Sequence, residues 1–257
     1  MAVQAWQDVS LLFGATEIAT QAKTFQLDAS AEVLDTTALS TTGWSESIGG
    51  KKTVTLTFGL MADFTATVTE GAGSVYPQKV RSDYIVTASA QALEARSIVL
   101  GSADGSTAYL GDSLTTSFTP VEGEPGGLAM AQLAAVYSGK VARGVLLHPG
   151  SASRTSSGTG TGRQLGAVSA TQKMYAALHV LHAAGASADQ SLTVIVQSDD
   201  NSGFTSPTTR ISFTAATTVS EQFSSVDGAV TDDYWRVSYT VSGTSPTFKF
   251  AVTAGIA

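Results

Sequence analysis

The sequence predicts a mainly all-β protein: an N-terminal β-sandwich or barrel with at most one short helix, then a C-terminal β-sandwich or jelly-roll-like domain. Three observations support this prediction. Apolar and polar residues alternate with period two along several short runs, as on strands that bury one face. Turn-forming residues separate these runs. A stretch rich in Ser, Gly and Thr divides the 257 residues into two parts, each long enough for its own core.

The dividing stretch is residues 149–164, which read PGSASRTSSGTGTGRQ. This composition is typical of flexible linkers. It predicts one domain at 1–148 and a second at 165–257. We expect the two domains to fold separately and a protease to cut the linker near its two arginines.

The clearest strand of the first part is residues 53–58, where Val54, Leu56 and Phe58 alternate with three threonines. Residues 88–97 (ASAQALEARS) are the best helix candidate, because Ala and Leu favour helix there. Three other segments read as strands: 8–13, 23–28 and 64–69.

The second part alternates more regularly. Its alternating runs are 192–197, 211–214, 235–241 and 248–253. Residues 243–246 (GTSP) separate the last two runs and predict a hairpin turn. Residues 173–183 fit either a helix or a strand. We favour a strand buried on both faces, because Gly185 and polar residues end the apolar run early.

Charged residues make up only 14% of the chain, and the net charge is −7. The negative charge argues against a protein that wraps nucleic acid, which needs a cationic surface. Uncharged outer faces are easily buried against other subunits, although they also fit a merely low-charge surface. No cysteine is present, so there are no disulfides or thiolate metal sites. No secretory signal or membrane-spanning apolar stretch is evident.

Sequence motifs that would indicate a catalytic or metal-binding site are weak in this chain. The pair His179 and His182 shares a face only on a helix, so in a strand it cannot form a two-histidine metal site. Residues 199–203 (DDNSG) fit a turn better than a calcium loop, because the alternating oxygen ligands and distal glutamate are missing. The acidic residues Asp227, Asp232 and Asp233 fit solvated turns first and an ion site second. We therefore expect no enzyme, metal or cofactor.

Several motifs together resemble the major tail proteins, which form the tail tube, of long, non-contractile-tailed bacteriophages. They are residues 25–28 (FQLD), 32–37 (EVLDTT) and 43–50 (GWSESIGG), followed by the alternating strand. Residues 105–109, 141–147 and 231–246 resemble further segments of phage tail proteins or of C-terminal domains attached to them. The resemblance covers most of the chain through small residues and spacing.

This resemblance implies a structural virion protein with a tail-tube-like first domain and an appended C-terminal β-domain. Such subunits self-assemble into rings, expected to be hexameric, that stack around a channel for DNA ejection. The implied partners are copies of the chain and other tail proteins, with phage DNA passing without specific binding and no membrane contact. The implied location is the virion tail, assembled in the host cytoplasm.

The resemblance also gives Trp44 a role, because a long loop of these proteins reaches the neighbouring ring. A large aromatic residue among small polar residues fits an interface anchor. The alternative is that Trp44 folds back over its own core. The candidate inter-subunit loop comprises Gly43, Trp44, Ser45, Ile48, Gly49 and Gly50.

A second hypothesis is a tail-tip or surface adhesin whose C-terminal β-domain binds host glycans. Tyr234, Trp235 and Tyr239 could form a stacking platform, although alternation places Trp235 and Tyr239 on the core face. If the chain is a tube subunit, we expect the C-terminal domain to lie outside the tube and to be dispensable for polymerisation.

Overall fold

The structure is a computed structural model that describes residues 9–19, 22–37, 45, 47–61 and 92–257. These residues form strands and turns, which confirms the all-β class. None of them belongs to a helix that could cross a membrane. The strands are β1 (Ser10–Phe13), β2 (Thr16–Glu17), β3 (Ala22–Asp35), β4 (Ser47–Met61), β5 (Glu94–Leu100), β6 (Thr107–Glu122), β7 (Met130–Tyr137), β8 (Ala142–His148), β9 (Gly158–Thr159), β10 (Arg163–Gln164), β11 (Lys173–Ala184), β12 (Ser191–Asp199), β13 (Thr208–Ser212), β14 (Ser220–Asp227), β15 (Tyr234–Ser242) and β16 (Thr247–Ile256).

Eleven strands form one antiparallel sheet that branches at β6. One edge of β6 pairs with β5, which leads on to β1 and β2. The other strands reach β6 through β7 and β8, which pair with successive parts of it: Tyr137 opposes Ser113, and Ala142 opposes Leu110. Beyond β7 lie β4 and β3, and beyond β8 lie β16, β11 and β14. The other five strands form a second sheet in the order β10-β15-β12-β13, with β9 also beside β15.

The described residues form four apolar clusters, which we group into three cores. The N-terminal core contains Leu11, Phe13, Leu56, Phe58, Ile98 and Leu133. The middle core contains Leu12, Val99, Leu146 and Ala251 at one end and Ala95, Leu110, Ala142 and Ala177 at the other. The C-terminal core, between the two sheets, contains Val180, Val194, Trp235, Phe248 and Phe250. Because β5 and β11 each contribute to two cores, the three cores form a continuous stack.

The helix predicted for residues 88–97 is wrong where the structure describes it. Residues 94–97 begin β5, and residues 88–91 lie outside the described part of the chain. From Ala95 to Val99 every residue of β5 is buried, because neighbouring residues face the N-terminal and middle cores in turn. Burial on two opposite faces at period two suits a strand, and it overrides the helix propensity of Ala and Leu.

The hairpin predicted at residues 243–246 is also wrong. The turn joins β15 to β16, but β15 belongs to the five-stranded sheet and β16 to the eleven-stranded one. The turn therefore carries the chain across the C-terminal core. It is held by Asp189, whose carboxylate accepts hydrogen bonds from the backbone N–H and the hydroxyl of Thr244, each at 2.9 Å. Turn residues alone do not distinguish a hairpin from such a crossing.

The stretch 149–164 is hydrogen-bonded, unlike the flexible linker that its composition predicts. Arg154 and Phe248 exchange two backbone hydrogen bonds of 2.7 and 2.9 Å. The guanidinium of Arg163 contacts the carboxylate of Asp104 at 3.4 Å, which ties the stretch to the turn between β5 and β6. The strands on its two sides also share a sheet, since β16 pairs with β8. Separate folding of the two predicted domains stays a prediction.

The strand predicted at 173–183 is confirmed as β11, and its residues from Ala176 to Val180 are all buried. The runs at 192–197, 235–241 and 248–253 lie in β12, β15 and β16, and residues 23–28 and 53–58 lie in β3 and β4. Residues 10–13 of the predicted strand 8–13 form β1. The strand predicted at 64–69 falls outside the described residues.

Candidate functional site

A long two-stranded ribbon extends from the N-terminal core. Strand β4 pairs with β7 only from Thr55 to Met61, and among the described residues β3 pairs only with β4. The hairpin continues past that point, from the pair Ala29–Val54 to the pair Asp35–Ser47. We call residues 29–35 and 47–54 the ribbon. Six residue steps at about 3.3 Å give it a reach of about 20 Å.

The alternation found in the sequence gives the hairpin two unlike faces. Its inner face carries Leu27 opposite Leu56 and Phe25 opposite Phe58, which belong to or pack against the N-terminal core. Its outer face carries threonines of β4 opposite polar residues of β3. The buried inner face fixes the register at the base, because a shift of one residue would bring the threonines into the core.

A β-bulge changes the direction of the ribbon near its end. Between the pairs Ala31–Lys52 and Val33–Gly49, β4 advances by three residues and β3 by two. At Gly50 an added Cβ would approach the Cβ of Glu32 to 3.1 Å, so this close passage of the strands favours glycine. An added Cβ at Gly49 would meet nothing within 4 Å. Of these two candidate site residues, only Gly50 has a steric reason to be glycine.

The end of the ribbon exposes aliphatic side chains to solvent. Val33 is 70% exposed, Leu34 is 42% exposed and Ile48 is 57% exposed. Leu34 and Ile48 oppose each other and so share one face, whereas Val33 points to the other. An isolated two-stranded hairpin is marginally stable in water, and exposed apolar groups at its end are a feature of interaction surfaces.

Charges of both signs surround this apolar tip. Glu32 and Asp35 lie on β3, and Lys51 and Lys52 lie on β4. Asp35 accepts hydrogen bonds from the hydroxyl and the backbone N–H of Thr37, which lower the pKa of its carboxyl. The carboxyl of Asp35 is therefore ionised beside the aliphatic residues of the tip at neutral pH.

The structure places only part of the predicted inter-subunit loop. Ile48, Gly49 and Gly50 lie in β4 at the end of the ribbon rather than in a loop, and Ser45 is exposed. Gly43 and Trp44 lie outside the described residues. Their role in an interface stays a prediction. Sequence reasoning did not single out Val33 and Leu34 as exposed tip residues, because the ribbon around the bulge does not alternate regularly.

A buried polar network crosses the middle core. The Nδ1–H of His179 donates a hydrogen bond to the carbonyl oxygen of Gly14 at 2.7 Å. Because Nδ1 carries the proton of the neutral ring, Nε2 accepts a hydrogen bond from the hydroxyl of Ser97 at 2.9 Å. Ser97 in turn accepts from the hydroxyl of Thr253 at 2.7 Å. The side chains of this network come from β5, β11 and β16, and Gly14 follows β1.

A serine hydrogen-bonded to a histidine is the arrangement of an activated nucleophile, but this pair has no access to a substrate. Ser97 and His179 are both fully buried, and the second nitrogen of the imidazole binds a backbone carbonyl rather than a carboxylate. Burial lowers the pKa of His179 to about 4. The network thus holds a neutral histidine that satisfies polar groups between layers. The two residues lie far apart in sequence, so no local sequence motif could have predicted that they pair.

Among the other residues considered for metal binding, four aspartates have hydrogen-bond or ion-pair partners within the protein. His182 is exposed whereas His179 is buried, as expected for a strand. Asp199 organises the turn after β12, accepting the backbone N–H groups of Asn201 and Ser206. Each member of the acidic group has its own partner: Asp227 binds Lys173, Asp232 binds Arg210 and Ser198, and Asp233 binds Gln164. The described residues contain no cluster of three or more metal-ligating side chains.

The proposed glycan platform is mostly inside the protein. Trp235 is fully buried and donates its indole N–H to the carbonyl oxygen of Gly166 at 3.0 Å. Tyr239 is 7% exposed and packs edge-on against Phe250. Neither ring has a free face for a sugar, which agrees with the alternation of β15.

Comparisons with protein-family models and with curated proteins gave no match. Among solved structures, one similar chain comes from the virion of a native gene transfer agent particle, with 20% identity and a TM-score of 0.38 over 55% of this chain and 98% of that chain. A chain of the anti-feeding prophage baseplate is 13% identical, with a TM-score of 0.38. The match covers 56% of this chain and 97% of that chain. The SPP1 Dit protein, described as a paradigm of the hub adsorption apparatus in phages of Gram-positive hosts, has 8% identity and a TM-score of 0.37 over 98% and 100%. At identities of 8% to 20%, function has to be argued from the chain's own residues.

Proposed function

We propose that this chain is a structural subunit of a bacteriophage tail that assembles with copies of itself through the ribbon. The observation that carries the proposal is the aliphatic tip formed by Val33, Leu34 and Ile48, at the end of a ribbon that extends beyond the support of β7. Burying the exposed parts of these three side chains would contribute about 3 kcal/mol per ribbon. The sequence motifs that resemble tail-tube proteins lie in and beside this ribbon.

In the finer form of the proposal, the subunits form hexameric rings that stack into a tail tube and conduct DNA. The low charge content supports burial of large surfaces against neighbouring subunits. The net charge of −7 supports a channel that does not retain the phosphate backbone. Assembly in the host cytoplasm and incorporation into the virion tail belong to the same proposal.

The test is electron microscopy of the purified full-length chain by negative staining, together with sedimentation over a range of concentrations. We expect rings or tubes. A protein that stays monomeric at every concentration would overturn the proposal. Monomers that bind immobilised glycans would support the adhesin hypothesis instead.

A pair of matched variants tests the role of the ribbon itself. Ile48 and Val121 are both 57% exposed, but Ile48 lies at the ribbon tip and Val121 lies near the end of β6. We expect Ile48→Asp to abolish assembly without changing the melting temperature of the monomer, because a charged group in an apolar contact must be desolvated. Val121→Asp should assemble as the unmodified chain does. Equal behaviour of the two variants would show that the ribbon tip is not the contact.

A further inference from the structure

We propose that the ribbon tip of one copy docks in an apolar groove beside the base of the ribbon of another copy. This inference rests on the proposed function, because it names the surface that receives the ribbon. It would make the contact between copies directional, with a donor surface and a separate acceptor surface on each chain.

The acceptor is a groove of about 620 Å³ at one end of the N-terminal core. One wall is the inner face of the hairpin, with Phe25, Leu27 and Val54. The floor is the adjoining sheet, where Ile98 of β5 opposes Tyr109 of β6, and Tyr109 opposes Arg143 of β8. Apolar side chains of the core thus continue outward into a surface open to solvent.

The tip and the groove match in chemistry. The tip offers branched aliphatic side chains with the carboxylate of Asp35 beside them, whereas Glu32, Lys51 and Lys52 lie at the bulge, farther from the end of the ribbon. The groove offers apolar side chains with one cation, Arg143, which is exposed and has no ion pair with another described residue. An aliphatic contact flanked by opposite charges favours one orientation of docking over others.

A ribbon cannot fill the groove of its own chain. The groove is lined by the base of the ribbon, at Ala29 and Val54, whereas the aliphatic tip lies about 20 Å farther along the same ladder. The strands stay paired up to Asp35 and Ser47, so folding the tip back would break the ladder. The tip of a second copy can reach the groove, and its aliphatic side chains match the apolar lining of the groove.

Contacts of this kind join two different surfaces, so each added copy presents a new free tip and a new free groove. Such heterologous contacts close into rings when the rotation between copies allows it, and otherwise they extend without limit. Docking of tip into groove therefore supplies a physical basis for repeated stacking along one direction. Pairing of tip with tip would stop at a dimer.

Disulfide trapping tests the contact directly, because the chain has no cysteine of its own. We would mix full-length Ile48→Cys with full-length Leu100→Cys under mild oxidation. Leu100 lines the groove and is 38% exposed. The control mixes Ile48→Cys with Thr205→Cys, an exposed site in the turn after β12. We expect at least about tenfold more heterodimer in the first mixture, since docking raises the effective concentration of the two thiols.

Leu100→Asp and Arg143→Glu, both at exposed positions, provide the second measurement. We expect both variants to fail to assemble, Arg143→Glu with the melting temperature of the unmodified chain and Leu100→Asp with a lower one, because the side chain of Leu100 is partly buried. Assembly of both variants at the normal level, or cross-linking no greater than in the control, would overturn the docking inference and leave the proposed function standing. Cross-linking of Ile48→Cys only with itself would overturn it in favour of pairing between tips. Failure of the unmodified chain to assemble would remove the proposed function and the inference together.

Discussion

The hydroxyl of Ser97 donates a 2.9 Å hydrogen bond to Nε2 of His179, and this contact joins the two halves of the chain inside the middle core. Ser97 lies on β5, before the stretch 149–164, and His179 lies on β11, after it. Neither residue has contact with water. The two predicted domains therefore meet through a desolvated hydrogen-bond network as well as through a shared sheet, and this arrangement makes their stability depend on the protonation of His179.

Acid should destabilise the protein. Burial lowers the pKa of both His148 and His179 from 6.5 to about 4. The unfolded chain takes up protons below pH 6.5, but the native chain stays unprotonated at these sites down to about pH 4. The free energy of unfolding is thus at its full value above pH 6.5 and falls between pH 6.5 and about 4, by about 3 kcal/mol for each histidine.

Urea unfolding across this pH range measures the effect, with histidine variants to assign it. His179→Gln should reduce the loss of stability on acidification, because glutamine does not titrate. His182→Gln is the matched control, because it makes the same substitution at an exposed position of the same strand. If the free energy of unfolding depended on pH equally in both variants, the loss of stability in acid could not be assigned to His179.

The junction of β8 with β16 should depend on Gly144. This residue opposes Gly255, and a Cβ at Gly144 would lie 1.8 Å from the carbonyl oxygen of Ala254. Gly144→Ala therefore forces the two strands apart, and we expect it to lower the free energy of unfolding by about 3 kcal/mol or more. Gly49→Ala is the control, because its Cβ would meet nothing within 4 Å and should change stability little. Denaturant titration of both variants measures the difference.

Limited proteolysis should spare the stretch 149–164 in the native protein. Arg154 is held by backbone hydrogen bonds to Phe248, and Arg163 lies in β10, paired with β15, and contacts Asp104. A protease needs an extended, unpaired backbone, so we expect trypsin to leave both sites intact until the protein unfolds. Mass spectrometry of the digest checks this. Rapid native cleavage at both arginines would instead support the flexible linker that composition predicts.

Trp44→Ala should weaken assembly and leave the folded subunit intact. The prediction follows from the sequence, which places this large aromatic residue among small polar ones between β3 and β4. Truncation of an aromatic anchor costs on the order of 2 kcal/mol or more per contact. Sedimentation would measure the assembly and calorimetry the melting temperature. A large drop in the melting temperature of the monomer would show that Trp44 belongs to its own core.

The sequence by itself determined the strands that have one apolar, buried face and one polar face. Period-two alternation located the strands at 53–58, 192–197 and 235–241, and it assigned Trp235 to the core, because burial of one face imposes that period locally. The resemblance to tail proteins also predicts that the segment around Ile48 contacts a neighbouring subunit, and this contact stays a prediction. Alternation cannot tell how far a hairpin extends beyond its neighbours, and so the exposure of Val33 and Leu34 was not foreseen.

Only the tertiary structure decided which strands face each other. Residues 94–97 form a strand because two cores enclose β5, and the turn at 243–246 joins two sheets because its flanking strands find partners elsewhere. The stretch 149–164 is ordered by hydrogen bonds to residues such as Phe248 and Val237, which its composition cannot reveal. In each case the deciding energy comes from contacts between residues distant in sequence, whereas local patterns record only the periodicity of burial.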